Sequence, residues 1–552
     1  MKKQNPKYIF VVGGVISGVG KGITSSSIGK ILQDRGLTVT AIKIDPYVNV
    51  DAGTMNPTEH GEVFVLEDGD ETDQDMGNYE RFLNTTLSRI NYMTTGRVYQ
   101  SVIEAERSMA YEGKCVQVVP HIPLEVVRRI KLAQKNAKAD VVVIEIGGTI
   151  GEYENILFLE AARMMKIETP DDVLFVMVSY LPVPSTVGEM KTKPTQHAVR
   201  TLNASGIQPD ILIARSVTAL DEKRKEKIAY FCNVPINHII SAPDVESVYD
   251  VPLNFEKEKL SERLCNLLST KCGSKVGENE KKWKQFASNV HNAKDEVKIA
   301  IIGKYFDTGD FTLSDSYLSV IEAVKYSAFW QKRKPVLTWL NAIDFENDPK
   351  KVKELAKYDG VIVPGGFGKR GIEGKMNVIR YVRENKIPYF GLCYGMQLAV
   401  IEYARTVAKI TGAITKEVDP TAKNLVITTM DGQEENLKNK RYGGSMRLGG
   451  YKALLKEGTI ARKAYGASEV TERHRHRFEV NMDYVKELTD KGLVFSGVSP
   501  SKTLMEIAEL PKSVHPFFLG TQFHPEFLAR PLAPHPLFTA FVKAAIEQRK
   551  KK

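Results

Sequence analysis

The stretch Gly13-Gly14-Val15-Ile16-Ser17-Gly18-Val19-Gly20-Lys21-Gly22-Ile23-Thr24 decides the fold of the N-terminal half of the chain. It follows a short apolar run at 8–12 and precedes a helix-like segment at 25–35. A strand, a glycine-rich turn and a helix start together hold phosphates, because backbone N–H groups, the positive end of the helix dipole and a lysine face the anion. Val15 stands where the usual P-loop has its first glycine, and Gly22 where it has a magnesium-binding hydroxyl. The stretch predicts a nucleotide site on a variant phosphate loop; a turn that binds nothing is the alternative.

The length and charge of the chain indicate a multidomain globular protein. Its 552 residues exceed the ~250–300 residues at which single hydrophobic cores stop growing. A hydrophobic content of 42% and a charged content of 26% are typical of soluble proteins. The net charge of +10 could suit nucleic acid, but the lysines are spread and only Arg549-Lys550-Lys551-Lys552 forms a dense run. An enzyme that handles several polyphosphate anions fits this charge equally well, and we expect no nucleic-acid partner.

The cysteines and the N-terminus indicate a cytoplasmic protein. The five cysteines show neither a C-x-x-C pair nor zinc-ligand spacing, and such an odd, sparse set suggests a reducing compartment. The first apolar run breaks at Gly13-Gly14 and has no small-residue cleavage site, so a signal peptide is not expected. No apolar run approaches the ~20 residues that span a bilayer, and we expect no membrane partner.

Short runs rich in Val and Ile alternate with helix-like segments. Such runs occur at 9–12, 39–44, 141–146, 173–178 and 211–214, and again from 297 onward. Because buried parallel strands have continuous apolar sequences, this pattern predicts the α/β class, with two doubly wound domains and mostly parallel sheets. A polar, lysine-rich stretch separates the two blocks. We therefore predict a first domain at 1–270, a linker at 271–296, a second domain at 297–546 and a basic tail at 547–552.

Three further patches could complete a nucleotide site in the first half. Glu145 ends an apolar strand, so it would face ligands at the carboxyl edge of the sheet and could hold Mg²⁺. An acidic cluster at 67–75 could supply a second metal ligand, and a basic, proline-containing loop at 191–197 suits a second set of phosphates. The alternatives are a carboxylate satisfied by turn amides, a solvated acidic loop and an ordinary surface turn.

The second half contains a nucleophile elbow. Gly391-Leu392-Cys393-Tyr394-Gly395 places a cysteine between glycines that permit a strained strand-to-helix turn. A thiol at a helix N-terminus ionises more readily, whereas the alternative is a buried structural cysteine. Gln522-Phe523-His524-Pro525-Glu526 supplies a base and an orienting carboxylate two residues apart. The glycine-rich segment 363–368 ends a third strand, and each backbone N–H that faces an oxyanion could contribute ~2.7–4 kcal/mol.

These strings resemble known families. The segments at 364–368, 391–397 and 522–527 are similar, in the same order, to those of class I glutamine amidotransferase domains. The segments at 13–22, 43–47, 53–55, 60–63, 145–151 and 191–196 are similar to the P-loop-like amidoligase domain of the CTP synthase family. The resemblance extends from the first strand to Phe541 and includes the domain order. It implies a synthetase domain at 1–270 and a glutaminase domain at 297–546.

The resemblance also implies roles for individual positions. The implied catalytic residues are Cys393 as nucleophile, His524 as general base and Glu526 as its orienter. The implied ATP contacts are Gly18, Val19, Gly20, Lys21, Gly22, Ile23, Lys43, Asp75, Pro243, Asp244 and Val245. The implied Mg²⁺ ligands are Asp75 and Glu145. The implied UTP or CTP contacts are Ser17, Glu152, Tyr153, Glu154, Lys191, Thr192, Lys193, Pro194, Thr195, Gln196 and Lys227. The implied glutamine contacts are Gly365, Gly366, Tyr394, Gly395, Met396, Gln397, Glu417 and Arg477.

The reaction implied by the resemblance has two parts. Cys393 releases ammonia from glutamine, and ATP phosphorylates O4 of UTP so that ammonia can displace phosphate and form CTP. GTP is implied as an allosteric activator, CTP as a feedback inhibitor and a homotetramer as the assembly, while filament formation stays open. Glu152 replaces an aspartate common in relatives, and the segment 411–435 fits loosely, which leaves the GTP contacts unassigned.

Two other functions are compatible with parts of the sequence. Another glutamine-dependent P-loop amidoligase, of the cobyrinate or cobyrate amide synthase type, would share the phosphate loop and the triad, but the strings at 152–154 and 191–196 fit a pyrimidine nucleotide better. A ParA-like switch NTPase with an inert second domain would share the loop alone. The intact set Cys393, His524 and Glu526 argues against an inert domain.

Overall fold

The computed structural model describes residues 5–186, 188–273, 277–303, 307–308, 311–312, 314–430, 432–439 and 443–550. Residues 551–552 of the predicted tail and 274–276 of the predicted linker lie outside this set. The chain forms two compact units. The first contains the described residues up to Asp51 together with Asp75–Ala287, and the second contains Ala52–Gln74 together with the described residues from Ser288 onward.

The N-terminal half alternates strands and helices, as the sequence predicts. Its strands are β1 (Lys7–Gly14), β2 (Val39–Asp45), β3 (Phe64–Val65), β4 (Glu71–Thr72), β5 (Tyr92–Thr94), β6 (Val141–Ile146), β7 (Val173–Tyr180), β8 (Ile211–Ser216) and β9 (Ile239–Pro243). Its helices are α1 (Lys21–Asp34), α2 (Pro57–His60), α3 (Gln74–Leu83), α4 (Thr95–Arg107), α5 (Val118–Ala137), α6 (Ile156–Glu168), α7 (Lys193–Ala204), α8 (Glu222–Cys232), α9 (Val251–Lys257), α10 (Leu260–Leu267) and α11 (Glu278–Asn292).

A parallel sheet of seven strands forms the centre of the first unit, in the order β5-β2-β6-β1-β7-β8-β9. Strands β1, β2 and β6 are buried along their whole length, which explains their largely apolar sequences. The sheet order reverses at β1, between β6 and β7. Ligands bind at such a switch point, at the carboxyl ends of the strands, and the phosphate loop follows β1 there.

The predicted linker contains the helix α11. Its Trp283 is fully buried and donates a hydrogen bond from Nε1 to the carbonyl of Tyr249 at 2.9 Å. The ring of Trp283 also lies 5.0 Å from that of Phe82. Two large apolar side chains, Trp283 and Phe286, therefore fix a stretch whose composition suggests only a polar connection. The predicted domain boundaries stay a prediction.

The second unit adds a larger set of elements. Its further strands are β10 (Glu296–Gly303), β11 (Asp307–Thr308), β12 (Phe311–Thr312), β13 (Lys334–Asn341), β14 (Gly360–Val363), β15 (Tyr389–Leu392), β16 (Ile414–Thr415), β17 (Leu425–Thr429), β18 (Arg447–Leu455), β19 (Glu469–His476), β20 (Phe478–Val480), β21 (Val494–Val498), β22 (Met505–Glu509) and β23 (Phe518–Thr521). Its further helices are α12 (Leu318–Trp330), α13 (Ala342–Asn347), α14 (Ile372–Glu384), α15 (Tyr394–Thr406), α16 (Gln433–Lys438), α17 (Ile460–Tyr465), α18 (Met482–Asp490) and α19 (Pro536–Arg549).

A mixed sheet of nine strands organises the second unit, in the order β13-β10-β14-β15-β23-β22-β21-β18-β19. The first five strands run parallel and carry the predicted α/β pattern. The other four pair antiparallel and extend the sheet beyond β23. The predicted α/β class is confirmed. The carboxyl ends of β14, β15 and β23 lie side by side, and the predicted triad segments follow two of them.

Cys265 and Cys272 form a disulfide bond across seven residues of sequence. Cys265 lies on α10 and Cys272 lies in the segment that follows this helix. The expectation of a reducing compartment does not anticipate this bond, because the spacing matches no common redox or metal motif. Cys115, Cys232 and Cys393 are free thiols.

Candidate functional site

The phosphate loop connects the buried strand β1 to the helix α1, which begins at Lys21. Gly18 and Gly20 have φ angles of 68° and 92°, a region that favours glycine, and Val15 has a φ of 80°. Lys21 folds back over the end of β1, where an added Cβ on Gly13 would lie 2.8 Å from Nζ. Lys21 Nζ donates to the carbonyl of Gly148 at 2.8 Å. The loop therefore holds its lysine between the ends of β1 and β6.

Gly22 in the first turn of α1 leaves room for Asp75. An added Cβ on Gly22 would lie 2.7 Å from Cγ of Asp75 and closer still to Oδ1. A serine or threonine at this position would overlap the carboxylate. The departure of the loop from the usual P-loop string therefore has a steric cause.

Lys43 joins the two predicted metal ligands. Its Nζ lies 2.5 Å from Oδ2 of Asp75 and 2.9 Å from Oε1 of Glu145, and Tyr79 donates its hydroxyl to Oε2 of Glu145. Burial alone raises the pKa of Asp75, but the positive charge of Lys43 and its hydrogen bond lower it below the usual range. Burial raises the pKa of Glu145 despite Lys43, and burial lowers the pKa of Lys21.

The carboxylates of Asp75 and Glu145 fit the donor chemistry of Mg²⁺. This ion prefers oxygen ligands and is usually held by one or two carboxylates together with waters and substrate phosphates. Both groups accept a charge-assisted bond from the Lys43 ammonium, so the site is already organised around a positive charge. Among the described residues no group of three or more carboxylate, histidine or cysteine side chains could hold a metal ion.

The predicted pyrimidine-nucleotide loop precedes α7 at the end of β7. Thr192 is the N-cap of α7, and the hydroxyl of Thr195 lies 2.8 Å from that of Ser179 at the end of β7. Lys191 and Lys227 come together around Glu189. Lys191 Nζ lies 2.7 Å from Glu189, and the hydrogen bond from Lys191, followed by the charges of Lys191, Arg224 and Lys227, lowers the pKa of this carboxyl. The structure therefore brings the two predicted lysines to one patch.

Other predicted nucleotide contacts lie at neighbouring strand ends. Ser17 and the segment 152–154 are exposed. Asp244 follows β9, and its carboxylate accepts a hydrogen bond from Arg215 at 2.9 Å. The structure places Ser17 after β1, residues 152–154 after β6 and Asp244 after β9, all at the carboxyl edge of the same sheet.

Cys393 adopts the strained conformation of a nucleophile elbow between β15 and α15. Its φ and ψ are 48° and −99°, which an L-residue rarely adopts. The backbone N–H of Cys393 donates to the carbonyl of Thr521 at 2.6 Å. An added Cβ on Gly391 would lie 2.6 Å from the hydroxyl of Tyr389, and one on Gly395 would overlap the carbonyl of Val363. The two flanking glycines are therefore required by packing, which confirms the predicted turn.

His524 and Glu526, the predicted base and its orienting carboxylate, lie in contact. Nδ1 of His524 lies 2.7 Å from Oε1 of Glu526, and both side chains are buried. Because Nδ1 is bonded to Glu526, Nε2 of His524 is the ring nitrogen that can exchange a proton with the thiol. Burial lowers the pKa of His524, but the charges of Glu526 and of an ionised Cys393 outweigh it and raise the pKa to about 10. The geometry supports a cysteine nucleophile beside a charged imidazole.

A cavity of about 830 Å³ opens on the triad. Cys393, His524 and Glu526 line it together with Gly365, Gly366, Glu417 and Arg477. Glu417 accepts a hydrogen bond from the backbone of Gly368 at 2.6 Å, and Arg477 donates to Gln433 and Ser445 at 2.9 and 2.8 Å. A carboxylate and a guanidinium in one cavity suit the amino and carboxylate groups of an amino acid.

The predicted glutamine contacts on α15 lie beside this cavity. Tyr394 donates its hydroxyl to the carbonyl of Gly368 at 3.1 Å. Gly395 packs on Val363, and an added Cβ on Gly520 would lie 2.8 Å from Cβ of Met396. The side chain of Gln397 is buried and bonded to protein groups. Their direct contact with glutamine stays a prediction.

A segment that the sequence patterns do not connect to the triad forms part of the cavity wall. Ala52–Gln74 belongs to the second unit, and its Gly53, Thr54, Met55, Pro57, Glu62 and Val63 line the cavity. Arg475 on β19 binds Glu71 through Nε at 2.8 Å, and Arg473 donates to the carbonyl of Val65 at 3.1 Å. The buried arginines of the string 473–477 are the signal that could have indicated this contact.

No helix in the part of the chain that the structure describes combines the length and the apolar character that crossing a membrane requires.

Known protein families match both halves of the chain. The family model for the CTP synthase N-terminus matches residues 7–270, and the model for class-I glutamine amidotransferases matches residues 312–544. A CTP synthase of Thermococcus gammatolerans is 50% identical over 548 residues, which cover 98% of this chain and 99% of that protein. A CTP synthase of Caldanaerobacter subterraneus subsp. tengcongensis is 49% identical and covers 98% of both chains. A CTP synthase of Methanococcoides burtonii is 47% identical and covers 99% of both chains.

Proposed function

Because the chain belongs to the CTP synthase family, we propose that it makes CTP by an ATP-dependent transfer of ammonia from glutamine to C4 of UTP. The grouping of Cys393, His524 and Glu526 along one cavity is the observation that carries this proposal. Relatives named CTP synthase match almost the whole chain, which favours this function over a cobyrinate- or cobyrate-type amide synthase.

The second unit releases ammonia. The sulfur of Cys393 attacks the amide carbon of glutamine, and the C–N bond breaks to give a glutamyl thioester. Protonated His524 gives its Nε2 proton to the departing nitrogen, and a water molecule then hydrolyses the thioester with His524 as base. Glu526 holds the imidazole at Nδ1 and stabilises its charged form. Glu417 and Arg477 are proposed to hold the charged end of glutamine, and Gly365 and Gly366 to supply backbone donors for the oxyanion.

The first unit activates UTP. The proposed ATP site consists of the loop 18–23 with Lys21 and Lys43, and the proposed adenine contacts at 243–245 lie at the end of β9. The proposed UTP site consists of Ser17, the segment 191–196 and Lys227. Transfer of the γ-phosphoryl group to O4 of UTP turns this oxygen into a leaving group. Ammonia then bonds to C4, phosphate departs and CTP is formed.

Asp75 and Glu145 would hold Mg²⁺, which when bound neutralises the negative charge of the ATP phosphates. Lys43, which is bonded to both carboxylates in this structure, is positioned to bind phosphate oxygens beside the ion. Tyr79 fixes the other oxygen of Glu145, so this carboxylate keeps its orientation.

We extend the proposal to regulation on the basis of the family. GTP is proposed as an activator of glutamine hydrolysis, CTP as a feedback inhibitor that contacts the exposed segment 152–154, and a homotetramer as the active assembly in the cytoplasm. No residues are assigned to GTP.

The decisive experiment measures phosphate and CTP together. Purified protein with ATP, Mg²⁺ and UTP should release phosphate and form CTP in equal amounts once glutamine or ammonia is added. Omission of UTP should abolish the phosphate release. ATP hydrolysis that is indifferent to UTP would contradict the proposal and would favour a switch NTPase.

A further inference from the structure

The side chain of Gln522 lies directly behind the sulfur of Cys393. Gln522 follows β23 and precedes His524 by two residues, and it is completely buried. Its Nε2 donates to Sγ of Cys393 at 3.6 Å. The backbone of Gln522 is held as well, because its N–H donates to the carbonyl of Glu506 at 2.8 Å. A fixed amide donor therefore faces the nucleophile from the protein side.

A chain of hydrogen bonds fixes which end of this amide faces the sulfur. The carbonyl of Phe478 can only accept, and Nε2 of Gln397 lies 2.9 Å from it. The same Nε2 lies 3.1 Å from Oε1 of Gln522. Because the amino group of Gln397 is committed to these two acceptors, the oxygen of Gln522 must face Gln397. The amino group of Gln522 is then left for the sulfur, which settles an amide orientation that is otherwise ambiguous.

The two polar groups near the sulfur favour different protonation states. The carbonyl of Arg475 lies 3.8 Å from Sγ and can only accept a hydrogen bond, so it suits the neutral thiol. Gln522 donates, so it suits the thiolate, which has no proton of its own to give. Hydrogen bonds to charged groups are stronger than those between neutral groups, so this donor interacts more strongly with a charged sulfur than with a neutral one.

We propose that Gln522 is a positioning residue of the glutaminase reaction, which orients the sulfur of Cys393 and stabilises its thiolate through the amide donor at 3.6 Å. The inference rests on the proposed role of Cys393 as nucleophile. Gln397 takes part indirectly, because it sets the orientation of the Gln522 amide. Gln522 does not line the cavity in the described part of the chain, so its effect reaches glutamine only through the sulfur.

Two variants of the full-length protein test the role. Gln522→Met keeps nearly the same volume and removes the donor, and Gln522→Glu keeps the shape and places an oxygen where the donor was. We expect kcat for glutamine hydrolysis to fall roughly 10- to 100-fold in both, with KM within about threefold of the wild type. The rate at which iodoacetamide alkylates Cys393 at pH 7.5, followed by peptide mass spectrometry, should fall by the same factor. A residue that only fills space would not slow alkylation in the Met variant, which keeps the volume and adds no charge beside the sulfur.

Ammonia-dependent CTP synthesis by the same preparations reports whether the variants fold. If it is retained while alkylation and kcat stay within about twofold of the wild type, the proposal is overturned. If it is lost with Gln522→Met and Gln522→Glu, the variant Gln397→Met decides, because it leaves Gln522 in place but removes the group that orients its amide. Slower alkylation in that variant supports the proposal, and an unchanged rate overturns it. A Cys393→Ala protein that still uses glutamine would instead refute the proposed nucleophile.

Discussion

The carboxylate of Asp75 occupies the space that a side chain at position 22 would need. An added Cβ on Gly22 would lie 2.7 Å from Cγ of Asp75. Gly22→Ala must therefore displace the Asp75 carboxylate from the phosphate loop. A displacement of about 1 Å in a positioned group can cost on the order of 100-fold in rate, and we expect a loss of this size in kcat/KM for ATP. The measurement is UTP-dependent phosphate release with ammonia as the nitrogen donor.

Gly36→Ala is the matched control for this variant. Gly36 has a φ of 87° just beyond the end of the same helix, and an added Cβ there would meet nothing within 4 Å. It should lose some stability from backbone strain and keep its ATP kinetics. Wild-type ATP kinetics in Gly22→Ala would show that Asp75 is not needed where the structure places it.

Lys43→Met leaves the buried carboxylate of Glu145 and the partly buried one of Asp75 without their shared cation. Breaking a buried ion pair costs about 3–5 kcal/mol, so the variant should melt at a lower temperature. The difference in melting temperature between the wild type and this variant should be small near pH 4 and should grow toward pH 7. In the wild type the lowered pKa of Asp75 contributes stability above its unfolded value, and this contribution is lost as the pH falls. In the variant the Lys43 ammonium no longer offsets burial, so the ionisation of both carboxylates is penalised more strongly. Thermal unfolding across this pH range checks the prediction.

The effect of added Mg²⁺ on the melting temperature distinguishes a metal site from a simple ion pair. We expect Mg²⁺ to raise the melting temperature of Lys43→Met more than that of the wild type, because the ion can take the place of the ammonium between Asp75 and Glu145. Lys7→Met is the control, since Lys7 is also buried and pairs with Asp172 at 2.6 Å. Equal Mg²⁺ responses in the two variants would argue against metal binding at Asp75 and Glu145.

Cys393→Ala should separate the two halves of the reaction. Without the sulfur no thioester can form, so glutamine-dependent CTP synthesis should disappear. Ammonia-dependent synthesis should continue at a rate close to that of the wild type, because its residues lie in the first unit. The assay compares CTP formation with glutamine and with ammonium chloride as nitrogen sources. Loss of both activities in a folded protein would refute this division.

His524 should make the stability of the protein depend on alkaline pH. Its pKa is raised to about 10 from an ordinary value of 6.5, so its ion pair contributes stability that is complete below pH 6.5 and is lost as the pH rises toward 10. The difference in melting temperature between the wild type and His524→Asn, which cannot titrate, should therefore shrink over this range. A pH-independent difference would contradict a charged imidazole.

Glu526→Gln tests the same pair through catalysis. The amide cannot stabilise a charged imidazole, so the pKa of His524 should fall and the proton donor for the leaving ammonia should be lost at lower pH. We expect kcat for glutamine to drop by about 100-fold, with its alkaline limb at lower pH. An unchanged pH profile of glutamine hydrolysis would show that Glu526 does not act on His524.

Local sequence patterns were sufficient to predict the main strands of both units and the turn at Cys393. The apolar runs at 9–12 and 141–146 became β1 and β6, because strands buried on both faces need continuous apolar sequence. The elbow at Cys393 was predictable because only glycines fit beside it. His524 and Glu526 were predictable because both follow one strand end. In each case the determining interactions lie close together in sequence.

Relationships between distant segments were not predictable in this way. The overlap that makes Gly22 a glycine involves Asp75, more than fifty residues away, and composition alone could not choose Asp75 from its acidic cluster. The string 473–477 reads as a basic patch, yet Arg473, His474 and His476 are buried on β19. In the sequence, Gln522 is one polar residue after a strand. Only the structure shows that its amide donates to the sulfur of Cys393.

The strand β19 has consequences for how the gene could be divided. The carbonyl of Arg473 accepts a hydrogen bond from the backbone N–H of His524. The side chains of Arg473 and Arg475 bind Val65 and Glu71. These two residues are encoded more than two hundred codons before the rest of the second unit. A C-terminal fragment cut at the contact boundary near Ser288 would keep its triad but lose one wall of the cavity. A recombination event that exchanged the glutaminase together with this wall of its cavity would therefore need two crossovers around Ala52–Gln74 in addition to one near Ser288.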